Sequence, residues 1–193
     1  MDEKRTLPRS PEMMSVGDTA LLVVDVQEKL IGSIRDADQV VWNCRRLVDG
    51  AKILGLPVAG TEQYPRGLGP TVPDLAERLG ELPWKLTFSC GGCPAVFENL
   101  ESRGIHKILA CGIEAHVCVQ QTVLDLLAGG WSVYVAVDAV GSRFKTDYRT
   151  ALSRMEASGA TLTTTEAALF EWCQVAGTPE FKEISHLVRE DRP

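Results

Sequence analysis

The chain has 193 residues, enough for one domain of ordinary size with a buried core. Its 45% hydrophobic and 24% charged composition is that of a globular protein and excludes a disordered one. A net charge of −6 argues against nucleic acid as the main partner, because phosphate binding needs a cationic surface.

Residues 1–18 mix charges with Pro8 and Pro11 and read as a tail or edge arm with no signal peptide. No apolar run approaches the ~18 residues that span a bilayer, so no membrane partner is expected. A cytoplasmic location follows as the expectation, in which the six cysteines (44, 90, 93, 111, 118 and 173) stay reduced. Ala20-Leu-Leu-Val-Val-Asp25 is a continuous apolar run ending in a carboxylate, the pattern of a buried parallel strand. Residues 36–54 have helical spacing, with Val40, Val41, Cys44, Leu47, Val48 and Ala51 on one face, and Gly55 ends them. Residues 56–59 begin the next strand. Residues 61–83, rich in Pro and Gly, read as a long loop with a short helix over 74–79. A short strand is predicted at 84–89, a helix at 95–102 and a strand at 107–111. Helix 116–128, strand 132–137, helix 147–157, strand 160–163, helix 165–173 and a final helix at 181–188 complete the series.

Strands alternating with helices predict βαβ units with right-handed crossovers. The expected fold is α/β: a three-layer, Rossmann-like domain over 19–193, with a mostly parallel six-stranded sheet covered by helices on both faces. Ligands of such folds bind beyond the carboxyl ends of the strands. That rule selects Asp25, the loop after residue 59 and the turn after Cys111.

Three residues there can carry chemistry. Asp25 at a strand end is either a cap or turn acid, or a partly buried general base. Cys118 follows Gly112-Ile-Glu-Ala-His-Val at the start of a predicted helix. Backbone N–H groups and the helix dipole there favour a thiolate and can hold an oxyanion; the alternative is a small buried core residue. Lys85, between Trp84 and Leu86, is either a surface lysine or a buried cation that needs a partner.

The segments LLVVDVQ (21–27), KLTFS (85–89) and CGIEAHVCVQQTVLDLLAGGWSVYVAVDAVGSR (111–143) resemble the isochorismatase-like cysteine hydrolases, and the likeness extends over about residues 19–173. The resemblance implies a catalytic triad of Asp25, Lys85 and Cys118. It also implies a cis peptide between Ile113 and Glu114, and an oxyanion site made by the backbone N–H groups of Glu114 and Cys118. A homo-oligomer acting on a small molecule is implied as well. Nicotinamidases of this family hold a metal with an Asp and two His in and near the loop that here reads TEQYPRGLGPTVPDL (61–75). That loop offers Glu62 and Gln63 but no His, and His106, His116 and His186 lack metal-ligand spacing, so neither metal nor cofactor is expected. The loop instead resembles that of isochorismatase domain-containing proteins. True isochorismatases lack the nucleophilic cysteine, so Cys118 favours attack on a carbonyl over isochorismate hydrolysis.

The leading expectation is hydrolysis of a small amide or related C–N bond through a thioester, with Gln27, Glu62 and Tyr64 as pocket residues. Loop support or subunit contact is the other reading of those three. Ester or thioester hydrolysis by the same triad stays open, as does a non-catalytic scaffold. Cys90-Gly-Gly-Cys93 has redox or half-zinc spacing without a second pair, and a disulfide switch is its sharper reading. Cys44, Cys111 and Cys173 read as core, as do Trp42, Trp131 and Trp172.

Overall fold

A computed structural model describes residues 7–193 of the chain. Its first strand, β1 (Thr19–Val24), alternates sides as an apolar strand buried on both faces must. Leu21 and Val23 join one core, while Ala20, Leu22 and Val24 join the other. A one-turn helix α1 (Glu28–Ile31), missed by the periodicity because it is too short to show any, leads to α2 (Ala37–Leu54). The amphipathic face of α2 buries Val40, Cys44, Leu47, Val48 and Ala51, and Gly55 closes it in the left-handed region.

The next strand, β2 (Val58–Gln63), runs well into the segment expected to be loop. Short helices α3 (Pro65–Leu68) and α4 (Pro73–Leu79) follow, each opened by a proline at its first position. Only Trp84–Lys85 forms strand β3, so the expected strand over 84–89 stops early. A 3-10 turn at Cys90–Gly92 precedes α5 (Pro94–Ser102), and β4 is Lys107–Ile113. The predicted helix at 116–128 is two pieces, a wide π-helical turn at Ala115–Val119 and α6 (Gln120–Ala128). Strand β5 (Ser132–Gly141) outruns its predicted end because its register against β4 shifts between Ala110 and Gly112, the mark of a bulge. Helix α7 (Lys145–Ala157), β6 (Thr161–Thr163), α8 (Thr165–Cys173) and α9 (Pro179–Val188) end the series.

Among the described residues six strands lie in the order β3-β2-β1-β4-β5-β6, and every ladder between them is parallel. One core packs α2, α4, α8 and α9 against the sheet, and the other packs α5, α6 and α7. The chain is therefore a three-layer α/β fold with an all-parallel sheet. The described part of the N-terminal segment is an arm, not a loose tail. Lys107 Nζ donates to the carbonyls of Pro11 and Met13 and pairs with Asp18, and Met14 is fully buried. Residues 1–6 of the predicted tail lie outside the described residues. No helix among the described residues is long and apolar enough to cross a membrane.

The sheet also fixes where chemistry can sit. Strands β2, β1 and β4 end level with one another, Val24 pairing with both Thr61 and Gly112. Asp25, Gln63–Lys85 and the turn after Ile113 therefore meet at one edge.

Candidate active site

Asp25 leaves β1 with φ 49°, in the left-handed region that aspartate tolerates better than most residues. This turn directs a fully buried carboxyl along the sheet edge. Lys85 enters from the edge strand. Its Nζ lies 2.6 Å from Asp25 Oδ2, and both side chains are 0% exposed. The ammonium also donates to Gln63 Oε1 at 3.1 Å, to the Phe88 carbonyl at 2.8 Å and to the Thr87 carbonyl at 3.3 Å. A lysine between two exposed apolar residues is thus buried because four oxygen acceptors receive it. Thr61 Oγ1 donates to the other carboxyl oxygen, Oδ1, at 2.8 Å.

The third residue comes from the turn after β4. Gly112 makes this turn possible: at φ 117°, a Cβ on it would lie 2.1 Å from the Val24 carbonyl oxygen. The peptide between Ile113 and Glu114 is cis. The N–H groups of Val117 and Val119 both donate to the Glu114 carbonyl, at 3.0 and 3.2 Å, while the Glu114 N–H meets no protein acceptor among the described residues. The turn is braced from outside by Arg143, which gives its N–H and Nε to Glu114 Oε2, and by Ser142 Oγ at 3.0 Å from His116 Nδ1. Cys118 sits in this turn, 4% exposed, with its thiol close enough to the Asp25 carboxyl to feel its charge.

The electrostatics differ from the helix-start expectation. Burial pushes the Cys118 thiol up, the negative charge of Asp25 pushes it further, and Lys85 only partly opposes them. Asp25 is itself raised above the ordinary carboxylate value by burial, against the lowering influence of Lys85, Cys118 and Thr61. The resting pair is a neutral thiol beside a carboxyl poised to accept its proton.

The three triad candidates thus converge, whereas the proposed pocket residues divide. Gln27 is buried and clamps the chain: its Oε1 accepts from the Gln63 N–H at 2.7 Å, and its Nε2 donates to the carbonyls of Gln63 and Gly69 at 3.0 and 2.7 Å. Glu62 Oε1 accepts from the N–H and hydroxyl of Thr71 at 2.7 and 2.8 Å. Both side chains hold the 63–71 segment, Glu62 through one carboxyl oxygen, which is the supporting role that the sequence left open. Tyr64 is 48% exposed and covers Gly67. Sequence reasoning missed Thr61, Gln63 and Thr122 beside the triad, and weighed Cys90 only as half of a redox or zinc motif. For Thr61 and Gln63 a signal existed, since alternation along a strand reaching Gln63 puts them on one face. A groove of about 410 Å³ between α2 and α7, lined by Arg35, Ser142, Tyr148 and Arg149 among others, does not include the triad. Among the tryptophans, Trp131 and Trp172 are core, while Trp42 is half-buried under the Arg46 guanidinium, 4.2 Å from the ring.

An all-parallel sheet with an Asp, a Lys and a Cys brought together at its carboxyl edge defines the class of α/β protein to which the chain is to be compared. Residues 19–167 match the isochorismatase domain, and the chain belongs to that family. It is 44% identical over 179 residues to isochorismatase domain-containing protein 2 of Homo sapiens, a match covering 92% of this chain and 86% of that one. Among solved structures, a Caenorhabditis elegans protein described as MAR1 ribonuclease is 42% identical with a TM-score of 0.87, covering 94% of each chain. YcaC from Pseudomonas aeruginosa, solved with hexane-2,5-diol and covalent acrylamide, is 26% identical with a TM-score of 0.84, covering 93% of each chain.

Proposed function

We propose that this protein is a cysteine hydrolase that opens a small amide or related C–N bond through a thioester. The observation that carries the reading is the fully buried Lys85–Asp25 pair at 2.6 Å, with the nearly buried Cys118 thiol within reach of that carboxyl's charge. An ion pair this deep is costly to keep unless it has work to do. That YcaC was solved with covalent acrylamide, an alkylating agent, suits a nucleophilic side chain in a fold relative.

In the first step the Cys118 thiol gives its proton to Asp25 as sulfur bonds the substrate carbonyl carbon. The electron pair moves to the carbonyl oxygen, where the N–H groups of Glu114 and Cys118 donate to it. Asp25 then protonates the departing nitrogen, the C–N bond breaks and a thioester remains. Water loses a proton to Asp25 and attacks that thioester; the C–S bond breaks and the thiolate recovers the proton. Lys85 stays charged throughout, compensating the carboxylate each time it forms. Tyr64 is the exposed side chain suited to the pocket rim. The scheme draws only on groups of this chain. Its six free cysteines suit a reducing compartment, and self-association, read by light scattering, is part of the proposal.

The test is intact-mass spectrometry after incubation with small amides, carbamoyl compounds, esters and thioesters, with an RNA oligonucleotide as a further substrate. An acyl adduct on Cys118 and loss of turnover in a folded Cys118→Ala variant are expected. Wild-type turnover by Cys118→Ala overturns the nucleophile assignment. RNA cleavage that survives Cys118→Ala assigns the chain the activity named for its C. elegans relative. An ester preference with the same adduct changes the substrate class but keeps the triad.

A further inference from the structure

The proposed reaction uses neither thiol of the Cys90-Gly-Gly-Cys93 motif. Cys90 is nevertheless fully buried beside the triad, and hydrogen bonds leave it in two directions. Its Sγ lies 3.2 Å from Thr61 Oγ1, and that hydroxyl already gives its single proton to Asp25 Oδ1 at 2.8 Å. The Cys90 thiol must therefore be the donor to Thr61. Burial pushes that thiol up to about 11, so the proton is present near neutral pH. On the backbone side, the Cys90 N–H donates to Thr122 Oγ1 at 2.9 Å, and Thr122 passes its own proton to the Cys118 carbonyl at 2.7 Å. Every donor in this chain points away from Cys90, one branch ending on the base and the other on the nucleophile's own backbone.

The second glycine of the motif fits the same purpose. A Cβ on Gly92 would lie 2.1 Å from Thr87 Oγ1 and 3.4 Å from Lys85 Cβ. Its lack of a side chain lets the segment from Lys85 to Phe88, in which the Thr87 and Phe88 carbonyls receive the ammonium, lie against the turn. Cys93 faces elsewhere, its Sγ 3.7 Å from the Trp84 carbonyl.

We propose that Cys90 is a positioning residue of this site, fixing the Asp25 carboxyl through Thr61 and the Cys118 main chain through Thr122. The inference rests on the reading of Cys118 as nucleophile and Asp25 as its base. Cys90-Gly-Gly is then the floor that holds base, lysine segment and nucleophile in register, and its thiol acts as a hydrogen-bond donor without redox change.

The experiment is the pH dependence of Cys118 alkylation by acrylamide in the full chain, between pH 5 and 9, located by peptide mass spectrometry. In that reaction the Cys118 sulfur bonds the β-carbon and a proton ends on the α-carbon, so no substrate need be known. Losing the donor on Thr61 weakens its support of the carboxylate and raises Asp25 further. For Cys90→Ala the acid limb therefore moves up by about half a pH unit, and the rate on that limb falls about threefold. Cys90→Ser keeps a donor and restores the wild-type limb. Thr61→Val removes the hydrogen bond itself and moves the limb at least as far in the same direction, and the double variant moves no further than Thr61→Val alone. Thr61→Val carries the test if Cys90→Ala does not fold. A lowered melting temperature with an unmoved limb assigns Cys90 to packing alone and overturns the proposal. Wild-type Cys118 reacting no faster than the other thiols overturns the nucleophile reading first, and this inference with it.

Discussion

Replacing Lys85 by Met removes the ammonium while keeping an unbranched stem of similar length. Both members of the Lys85–Asp25 pair are 0% exposed, so the carboxyl left behind has no water to turn to. Breaking a buried pair by deleting one partner costs about 3–5 kcal/mol. In a chain of 193 residues that lowers the melting temperature by roughly 10 °C or somewhat more. The folded protein has one escape, which is to protonate Asp25. Burial already holds Asp25 above its ordinary value against the opposing pull of Lys85, and deleting Lys85 raises it further. A folded-state value above the unfolded one gives stability that is full below the unfolded value and lost as pH rises through the folded value. The deficit of Lys85→Met relative to wild type therefore widens as pH rises and shrinks as pH falls towards about 4. Calorimetry at pH 4.5, 6 and 8 reads this directly. Asp25→Asn combined with Lys85→Met recovers much of the loss, because no charge is then left buried. A melting temperature within about 2 °C of wild type at pH 8, or a deficit that does not change with pH, refutes the reasoning.

Three further substitutions probe the frame of the site. Gly112→Ala places a Cβ against the Val24 backbone at positive φ, and we expect loss of soluble folded protein or destabilisation by about 3 kcal/mol or more in urea. Gln27→Leu leaves the Gln63 N–H and the carbonyls of Gln63 and Gly69 without their partner, which costs about 2–5 kcal/mol. Turnover falls with it, since Gln63 Oε1 touches Lys85. Glu62→Ala frees Thr71 and lowers the melting temperature by a few degrees, while KM changes less than about threefold. A tenfold rise in KM would instead return Glu62 to the substrate pocket.

Much of the fold was legible because its signals are local. An apolar run ending at Asp25 gave β1 within a residue, and the spacing of Val40, Cys44, Leu47, Val48 and Ala51 gave α2. The extension of β2 to Gln63 was hidden because Thr61, Glu62 and Gln63 are polar, and a polar stretch beside Pro and Gly reads as loop. These side chains are polar for reasons remote in sequence: Thr61 serves Asp25, Gln63 serves Lys85, and Glu62 holds Thr71. The split of the predicted helix at 116–128 was likewise invisible, since apolar spacing does not distinguish a wide turn from the first turn of a helix.

The state of Cys118 separates local from non-local reasoning most clearly. At a helix start, dipole and N–H groups lower a thiol by an amount worth about 1 kcal/mol or less. Burial of a nearly covered group opposes this by several kcal/mol, and a carboxylate beside it adds to the opposition. The larger effect wins, so the thiol is pushed up and not down. A thiolate stabilised in advance would need no base, whereas a neutral thiol must lose its proton as it attacks. Asp25, raised by the same burial, is the group placed to take that proton and return it. Lys85 then keeps the carboxylate accessible at all inside a dry site. The burial that removes the helix-start advantage therefore makes the three residues depend on one another. It follows that Asp25→Asn should depress Cys118 alkylation at pH 7, but less than turnover. Turnover also needs Asp25 to protonate the leaving nitrogen and to activate water, and removing its charge relieves part of the upward push on the thiol.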